Sequence, residues 1–160
     1  MIRSVDLSDA GEIVSIYNDY ILNSVVSFET EALTVEEMQK RINDISSCFP
    51  YFVYEKDGHI AGYCYAHAWK SRAAYSGTLE TTVYLAPEYK GLGIGRELME
   101  RLISECRALG YSALIACITA CNTDSIGFHR CLGFEKVSHF KRVGYKFDRW
   151  LDVVDYELLL

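Results

Sequence analysis

Proline occurs only twice in these 160 residues, at Pro50 and Pro87, and no Pro-, Gly- or Ser-rich stretch, repeat or low-complexity run marks a linker. One domain spanning 1–160 is expected. No apolar run approaches the roughly 20 residues of a membrane span, and the opening MIRSVDLSDAGEIV puts acids where a secretory leader would be basic and then apolar. A cytoplasmic location without a membrane partner is the expectation. Positive charge is not in excess either: 16 Lys and Arg stand against 22 Asp and Glu, a net charge of −6. Phosphate binding needs a basic face, so no nucleic-acid partner is expected. The locally basic stretch 136–149 reads as charges on the solvent faces of exposed strands.

The cysteines lack a CxxC pair. They stand at 48, 64, 106, 117, 121 and 131, mostly within apolar segments, and read as buried free thiols. Cys117, Cys121 and His129 match no zinc-ligand spacing, so no metal is expected.

What is present alternates between helical and extended patterns. A short strand is expected over 2–6, then a helix capped by Ser8 or Asp9 that carries Ile13, Val14, Tyr17 and Ile21 on one face and ends near Asn23. TVEE at 34–37 is a capping box, so a second helix runs to about Ser47 and is closed by Pro50. Apolar and aromatic strands flank Asp57-Gly58, a dipeptide suited to a tight hairpin turn. GTLETTVYLAP reads as a long strand stopped by Pro87.

Immediately after it comes YKGLGIGREL, with glycines at 91, 93 and 95, where side chains are removed so that backbone can approach something closely. The helix that follows places Leu98, Leu102, Cys106 and Leu109 at helical spacing, and Gly110 stands where a C-terminal cap is expected. YSALIACI returns as a strand, Asn122 or Thr123 caps a short helix ending before Gly133, and the remainder gives two closing strands. The fold class is α+β, a mixed sheet flanked by helices.

A glycine-rich turn opening a helix suits an anion, because free N–H groups and the positive end of the helix dipole point outward. The nucleoside-triphosphate form needs GxxxxGK[ST], and no Gly-Lys-Ser or Gly-Lys-Thr occurs. The dinucleotide form needs GxGxxG and an acid about 20 residues on; the run here is GxGxG, and YSALIACI carries no acid. A tight turn with no ligand remains open on the glycines alone.

Lys90-Gly91-Leu92-Gly93-Ile94-Gly95 resembles the [Gln/Arg]-x-x-Gly-x-[Gly/Ala] pyrophosphate loop of the GNAT acyl-CoA N-acetyltransferases, with Lys90 in place of Gln or Arg. A later Asn122, Ser125, His129 and Leu132-Gly133-Phe134 match that superfamily's cofactor-covering segment, and the agreement runs over nearly the whole chain. IYNDYILNSVVSFET, WKSRAAYSGTLETTVYL, SIGFHRCLGF and VGYKFDRWLDV together look like the phosphinothricin and methionine sulfoximine acetyltransferase branch.

The resemblance implies a mainly antiparallel central sheet with a splayed strand pair. It implies acetyl-CoA as co-substrate, held by Val83, Tyr84 and Leu85 of the splayed strand, by Lys90, Gly91, Leu92, Gly93, Ile94, Gly95 and Arg96 of the loop, and by Asn122 and Ser125. Glu80 is its candidate base, His129 its candidate acid or proton relay, and the Leu85 N–H its candidate oxyanion donor. For the acceptor it points to Phe28, Thr30, Trp69, Lys70, Arg72, Tyr75 and Thr82; Arg72 can grip a carboxylate with two parallel hydrogen bonds. The terminal strands are expected to form a homodimer around the site. The expected activity is direct acetyl transfer to a small amino-acid-like amine. Rival readings are a peptide, lysine or polyamine acceptor, or an acyl-CoA sensor without catalysis.

Overall fold

The computed structural model describes residues 1–160 and contains one seven-stranded sheet in the order β1-β2-β3-β4-β5-β7-β6. Its strands are β1 (Ile2–Ser4), β2 (Tyr51–Lys56), β3 (His59–Ala68), β4 (Thr78–Leu85), β5 (Ala113–Thr119), β6 (Glu135–Lys146) and β7 (Arg149–Leu159). Only β4 and β5 pair in parallel; every other neighbouring pair is antiparallel. α1 (Ala10–Asn23) and α2 (Val35–Ser46) cover one face of the sheet. α3 (Ile94–Ala108) packs on the other, and α4 (Thr123–Cys131) follows β5.

Local sequence explains most of these boundaries. The Thr34 hydroxyl accepts from the Glu37 N–H at 3.1 Å and the Glu37 carboxylate accepts from the Thr34 N–H at 2.8 Å, so α2 starts with both free donors satisfied. Asp57 (φ 53°) and Gly58 (φ 82°) are both left-handed, the requirement of the two-residue turn that joins β2 to β3. At the other end of the chain β6 and β7 form a long hairpin, and Gly110 closes α3 with φ 84°.

The start of α1 differs from expectation. Asp9 stands at the N-cap position of α1 but makes no side-chain capping bond to it; Asp6 caps a preceding 3₁₀ turn over Leu7–Asp9, its carboxylate accepting from the Ser8 N–H at 2.8 Å. Asp9 is otherwise engaged, because the Arg3 guanidinium grips both its oxygens at 2.8 Å and it also accepts from the Asp6 N–H. Burial favours its neutral form, yet those donors hold its carboxyl below the usual range.

Two apolar layers result. Leu98, Met99, Leu102 and Cys106 of α3 are fully buried against Leu79, Leu114, Ala116 and Val154 of the sheet. Truncating one of those leucines to Ala should cost about 2–5 kcal/mol. Leu109 breaks the expected stripe and is 58% exposed, since the helix has already ended there. On the opposite face Ile13, Val14, Met38 and Ile42 pack against Val53, Ile60 and Tyr63. The thiols are free, but only Cys64 and Cys106 are buried. Cys48, Cys117, Cys121 and Cys131 are exposed, because they fall after a helix end, in the cleft between strands, in a turn and at the end of α4.

Candidate active site

β4 and β5 are paired only from Thr78–Glu80 to Ala113–Ile115, and beyond that they diverge. A cleft of about 510 Å³ opens in the gap, walled by Thr81–Tyr84 on one side and Ala116–Thr119 on the other. Asn122, Ser125 and His129 close its far side and Val26–Glu29 lies across it. The backbone of β4 also faces this gap. The Ala86 N–H donates to the Ala61 carbonyl at 3.0 Å, and Gly62 stands opposite Leu85. Alternation along an antiparallel ladder then turns the N–H groups of Val83 and Leu85 away from β3 and toward the opening.

Glu80, Thr82 and Tyr84 alternate on the cleft face of β4. Glu80 is half-buried and accepts no hydrogen bond from the protein. Burial pushes its carboxyl above the usual range, Asp155 adds to the rise and His67, whose Nε2 is 3.9 Å from Glu80 Oε1, opposes it. Beside it on β5, Cys117 stands opposite Asp155 of β7. Desolvation in the cleft, followed by the Glu80 and Asp155 carboxylates, pushes the Cys117 thiol up to about 12. That protonated thiol is a poor nucleophile.

His129 is 4% exposed and sits edge-on between the rings of Phe128 and Phe134. Its Nδ1 lies 2.8 Å from the Ser125 carbonyl oxygen, an atom that only accepts, so Nδ1 carries a hydrogen. Burial lowers the pKa of His129 below its ordinary value. The Asn122 side chain caps α4 by accepting from the Ser125 N–H at 3.2 Å, which fixes the turn that presents His129 to the cleft.

The glycine run begins after a 3₁₀ turn at Pro87–Tyr89. Gly91 (φ 76°) and Gly93 (φ 83°) are left-handed, and a Cβ at either would meet nothing within 4 Å. Their requirement is therefore conformational rather than one of close approach within the chain. Gly95 is different: a Cβ there would lie 3.3 Å from Leu85 Cδ1 and 3.6 Å from Phe128, so it lets α3 pack close to β4. Gly93 caps α3, whose first backbone bond is from the Glu97 N–H to the Gly93 carbonyl. The N–H groups of Ile94, Gly95 and Arg96 are left without helical partners, the arrangement that receives an anion. Leu92 is exposed, Lys90 Nζ stands 4.8 Å above the Tyr20 ring, and Arg96 pairs with Glu100 at 2.9 Å.

The strap over the cleft is held from three sides. The Tyr17 hydroxyl meets the Glu29 carboxylate and the Ser27 hydroxyl, and Arg41 forks onto both Glu29 oxygens at 2.6 and 2.8 Å. Lys146, buried at the end of β6, donates to the Ser27 carbonyl at 2.7 Å. Phe28 lies across Gly144, where any Cβ would run into its ring.

The remaining expected acceptor contacts lie elsewhere. Thr30 is exposed beyond the strap, and Lys70, Arg72 and Tyr75 line a separate hollow with Ser71. Lys70 Nζ rests 4.0 Å from the Trp69 ring and 5.2 Å from that of Tyr75, which meet edge to face at 5.3 Å. Trp69, Lys70, Arg72 and Tyr75 thus do not join Phe28 and Thr82 in the cleft of one chain, because 69–77 is a loop beyond the end of β3 whose aromatic rings hold its own lysine. Conversely, the cleft walls include Tyr17, Tyr65, His67 and Cys117, which sequence reasoning did not select. The alternation Tyr63, Tyr65, His67 carries part of that signal, since it marks one face of β3.

The acetyltransferase (GNAT) domain family matches residues 2–154. The chain belongs to the GNAT acetyltransferases. This GNAT protein is 38% identical over 155 residues to a phosphinothricin N-acetyltransferase of Alcaligenes faecalis, covering 96% of this chain and 79% of that one. It is 32% identical over 165 residues to the L-methionine sulfoximine/L-methionine sulfone acetyltransferase of Salmonella typhimurium, covering 99% and 94%. A phosphinothricin acetyltransferase from Sinorhizobium meliloti, solved in complex with acetyl-CoA, superposes with a TM-score of 0.96 at 36% identity, covering 100% of this chain and 88% of that one. The mainly antiparallel sheet, open between β4 and β5, is accordingly the GNAT fold, and the protein is an acetyl-CoA-dependent N-acetyltransferase. Acetyl-CoA is its co-substrate, and the left-handed glycine turn with unpaired N–H groups fits the anionic part of that molecule.

Proposed function

We propose that this GNAT enzyme acetylates the amine of a small amino-acid-like substrate of the phosphinothricin, methionine sulfoximine or methionine sulfone type, by direct transfer with Glu80 as base. The observation that carries the reading is Glu80 itself: a half-buried carboxylate with free oxygens, facing an open cleft that a strap crosses. Acetyl-CoA supplies an activated thioester carbonyl. The residues' tasks follow from that chemistry. A free α-ammonium group titrates at about pH 8, so Glu80 removes its proton to expose the lone pair. The Leu85 N–H, turned into the gap, donates to the oxygen on which charge develops. Phe28 and Thr82 hold the acceptor, while Asn122 and Ser125 line the co-substrate side.

His129 enters as a neutral ring with its Nε2 lone pair available, which suits a relay that first accepts a proton and then returns it to the departing thiolate. Arg72, which makes no ion pair within the chain, is assigned to the acceptor's carboxylate across an assembled site. The enzyme works as a homodimer in the cytoplasm. Val143, Tyr145, Phe147 and Trp150 are each more than half exposed at the free end of the terminal hairpin, and this apolar surface supports the dimer.

Thiol release from acetyl-CoA tests the reading, with methionine sulfone, methionine sulfoximine, phosphinothricin, ordinary amino acids, spermidine, a lysine peptide and a peptide amino terminus as acceptors. Rapid release confined to the amino-acid analogues is expected. Release only with the peptides or the polyamine would overturn it.

A further inference from the structure

Glu80 must shed each proton it takes before the next turnover, and one titratable side chain directly faces it. His67 stands opposite Glu80 in the β3–β4 ladder, so both side chains leave the same face of the sheet and line the same cleft. His67 Nε2 is 3.9 Å from Glu80 Oε1, longer than a hydrogen bond, so direct transfer requires the two side chains to close by about 1 Å. On the other side of the ring, Nδ1 lies 3.0 Å from the Ala68 carbonyl oxygen, which only accepts. The neutral ring therefore keeps its hydrogen on Nδ1 and presents the Nε2 lone pair toward Glu80. About a third of the His67 side chain is exposed (34%), whereas His129 is buried. Glu80 is itself 29% exposed in the open cleft, so the ring offers its carboxyl a second route to solvent when an acceptor occupies that opening.

The other titratable groups turned toward this pair are less suited to the task. Tyr65, whose ring centroid is 5.9 Å from that of His67, is a hydroxyl whose pKa burial raises. Cys117 on β5 holds its proton up to about pH 12, and Asp155 on β7 repels a charge on Glu80 rather than relaying its proton. His129 lies across the cleft with Nδ1 committed to Ser125. Imidazole is the side chain that exchanges protons near neutrality.

We propose that His67 is a positioning residue that serves as the proton outlet of Glu80, resetting the base between turnovers. The O–H bond of the protonated Glu80 carboxyl breaks as an N–H bond forms at His67 Nε2. The resulting imidazolium then passes that proton to solvent or a buffer base, which returns both groups to their starting charges. The inference rests on the reading of Glu80 as base.

The test compares His67→Ala, His67→Gln, Glu80→Gln and Glu80→Gln/His67→Ala with the wild-type enzyme, using the best acceptor of the panel above. In His67→Ala and His67→Gln, kcat should fall about tenfold while the KM for acetyl-CoA stays within twofold. Added imidazole should restore most of the loss in His67→Ala, a response that a merely structural role would not produce. Added to Glu80→Gln, the His67→Ala change should have no further effect. Wild-type kcat in both His67 variants, or a loss that imidazole leaves untouched, would overturn the outlet and leave Glu80 as base. Wild-type kcat in Glu80→Gln would overturn the base, and the outlet with it.

Discussion

His129 Nδ1 lies 2.8 Å from the carbonyl oxygen of Ser125, one helical turn earlier in α4. A carbonyl cannot donate, so this contact selects one tautomer and leaves Nε2 as the acceptor. Nitrogen-15 spectra of the imidazole should show hydrogen on Nδ1 and a protonation midpoint below 6.5, since burial lowers the pKa. A midpoint above 6.5 would contradict the buried setting. The same shift has a stability consequence with a definite sign. Between the lowered folded midpoint and the unfolded value the unfolded chain binds more protons, so His129 costs stability as pH falls through that window.

Replacing Glu80 by Gln should separate function from stability. Turnover should fall about 10²- to 10⁴-fold, the usual contribution of a positioned base, while acetyl-CoA affinity measured calorimetrically stays unchanged. The unfolding temperature at pH 7 should rise. Burial raises the folded pKa of Glu80, so the folded state favours the neutral form and holding the ionised form costs stability above that pKa.

The acid side of the pH–rate profile should carry the same group. With Glu80 raised above the ordinary carboxylate range, kcat/KM should climb with pH through that raised midpoint as the carboxyl ionises. The Glu80→Gln profile should lack this limb, and its persistence would assign the titration to another group.

Gly93 and Gly95 should respond differently to alanine. Gly93 has φ 83° and open space around it, so Ala there meets no atom but strains the backbone by about 1–2 kcal/mol and disturbs the N-terminus of α3. Its signature should be a raised KM for acetyl-CoA with the acceptor KM unchanged. Gly95 has helical backbone, and an Ala Cβ there crowds only the end of the Leu85 side chain at 3.3 Å, so Gly95→Ala should shift thermal stability by no more than about 1 kcal/mol, helix propensity offsetting the contact.

Thiol titration of the native enzyme should find three fast cysteines, Cys48, Cys121 and Cys131, all exposed. Cys117 is open to the cleft, but its thiol is held up to about 12 and should react slowly. Cys64 and Cys106 should react only on unfolding, Cys106 being both buried and pushed up to about 11.

Much of the fold is legible because its signals are local. The Thr34–Glu37 capping box, the Asp57-Gly58 turn and the caps at Asn122 and Gly110 depend on residues within a few positions of one another. The first helix is less legible: Asp9 stands at its N-cap, but Arg3 reaches from another element to occupy the Asp9 carboxylate, and Asp6 caps a 3₁₀ turn ahead of it. The cysteines differ from expectation for a related reason: an apolar neighbourhood in sequence does not say which face of β5 remains uncovered, and Cys117 falls on the open one.

The chain alone determined the order of its elements, the glycine turn ahead of α3 and the identity of the groups able to bind an anion or move a proton, because each is written in residue type and short spacing. Tertiary structure alone decided where β4 leaves β5, since parallel pairing stops at Glu80 and Ile115 only once other elements have set the two strands' directions. It also decided that His67 faces Glu80, that Lys146 reaches Ser27 across 119 positions of chain, and that Arg72 stands apart from the cleft. Such relationships depend on strand register and long-range packing, which no local spacing specifies.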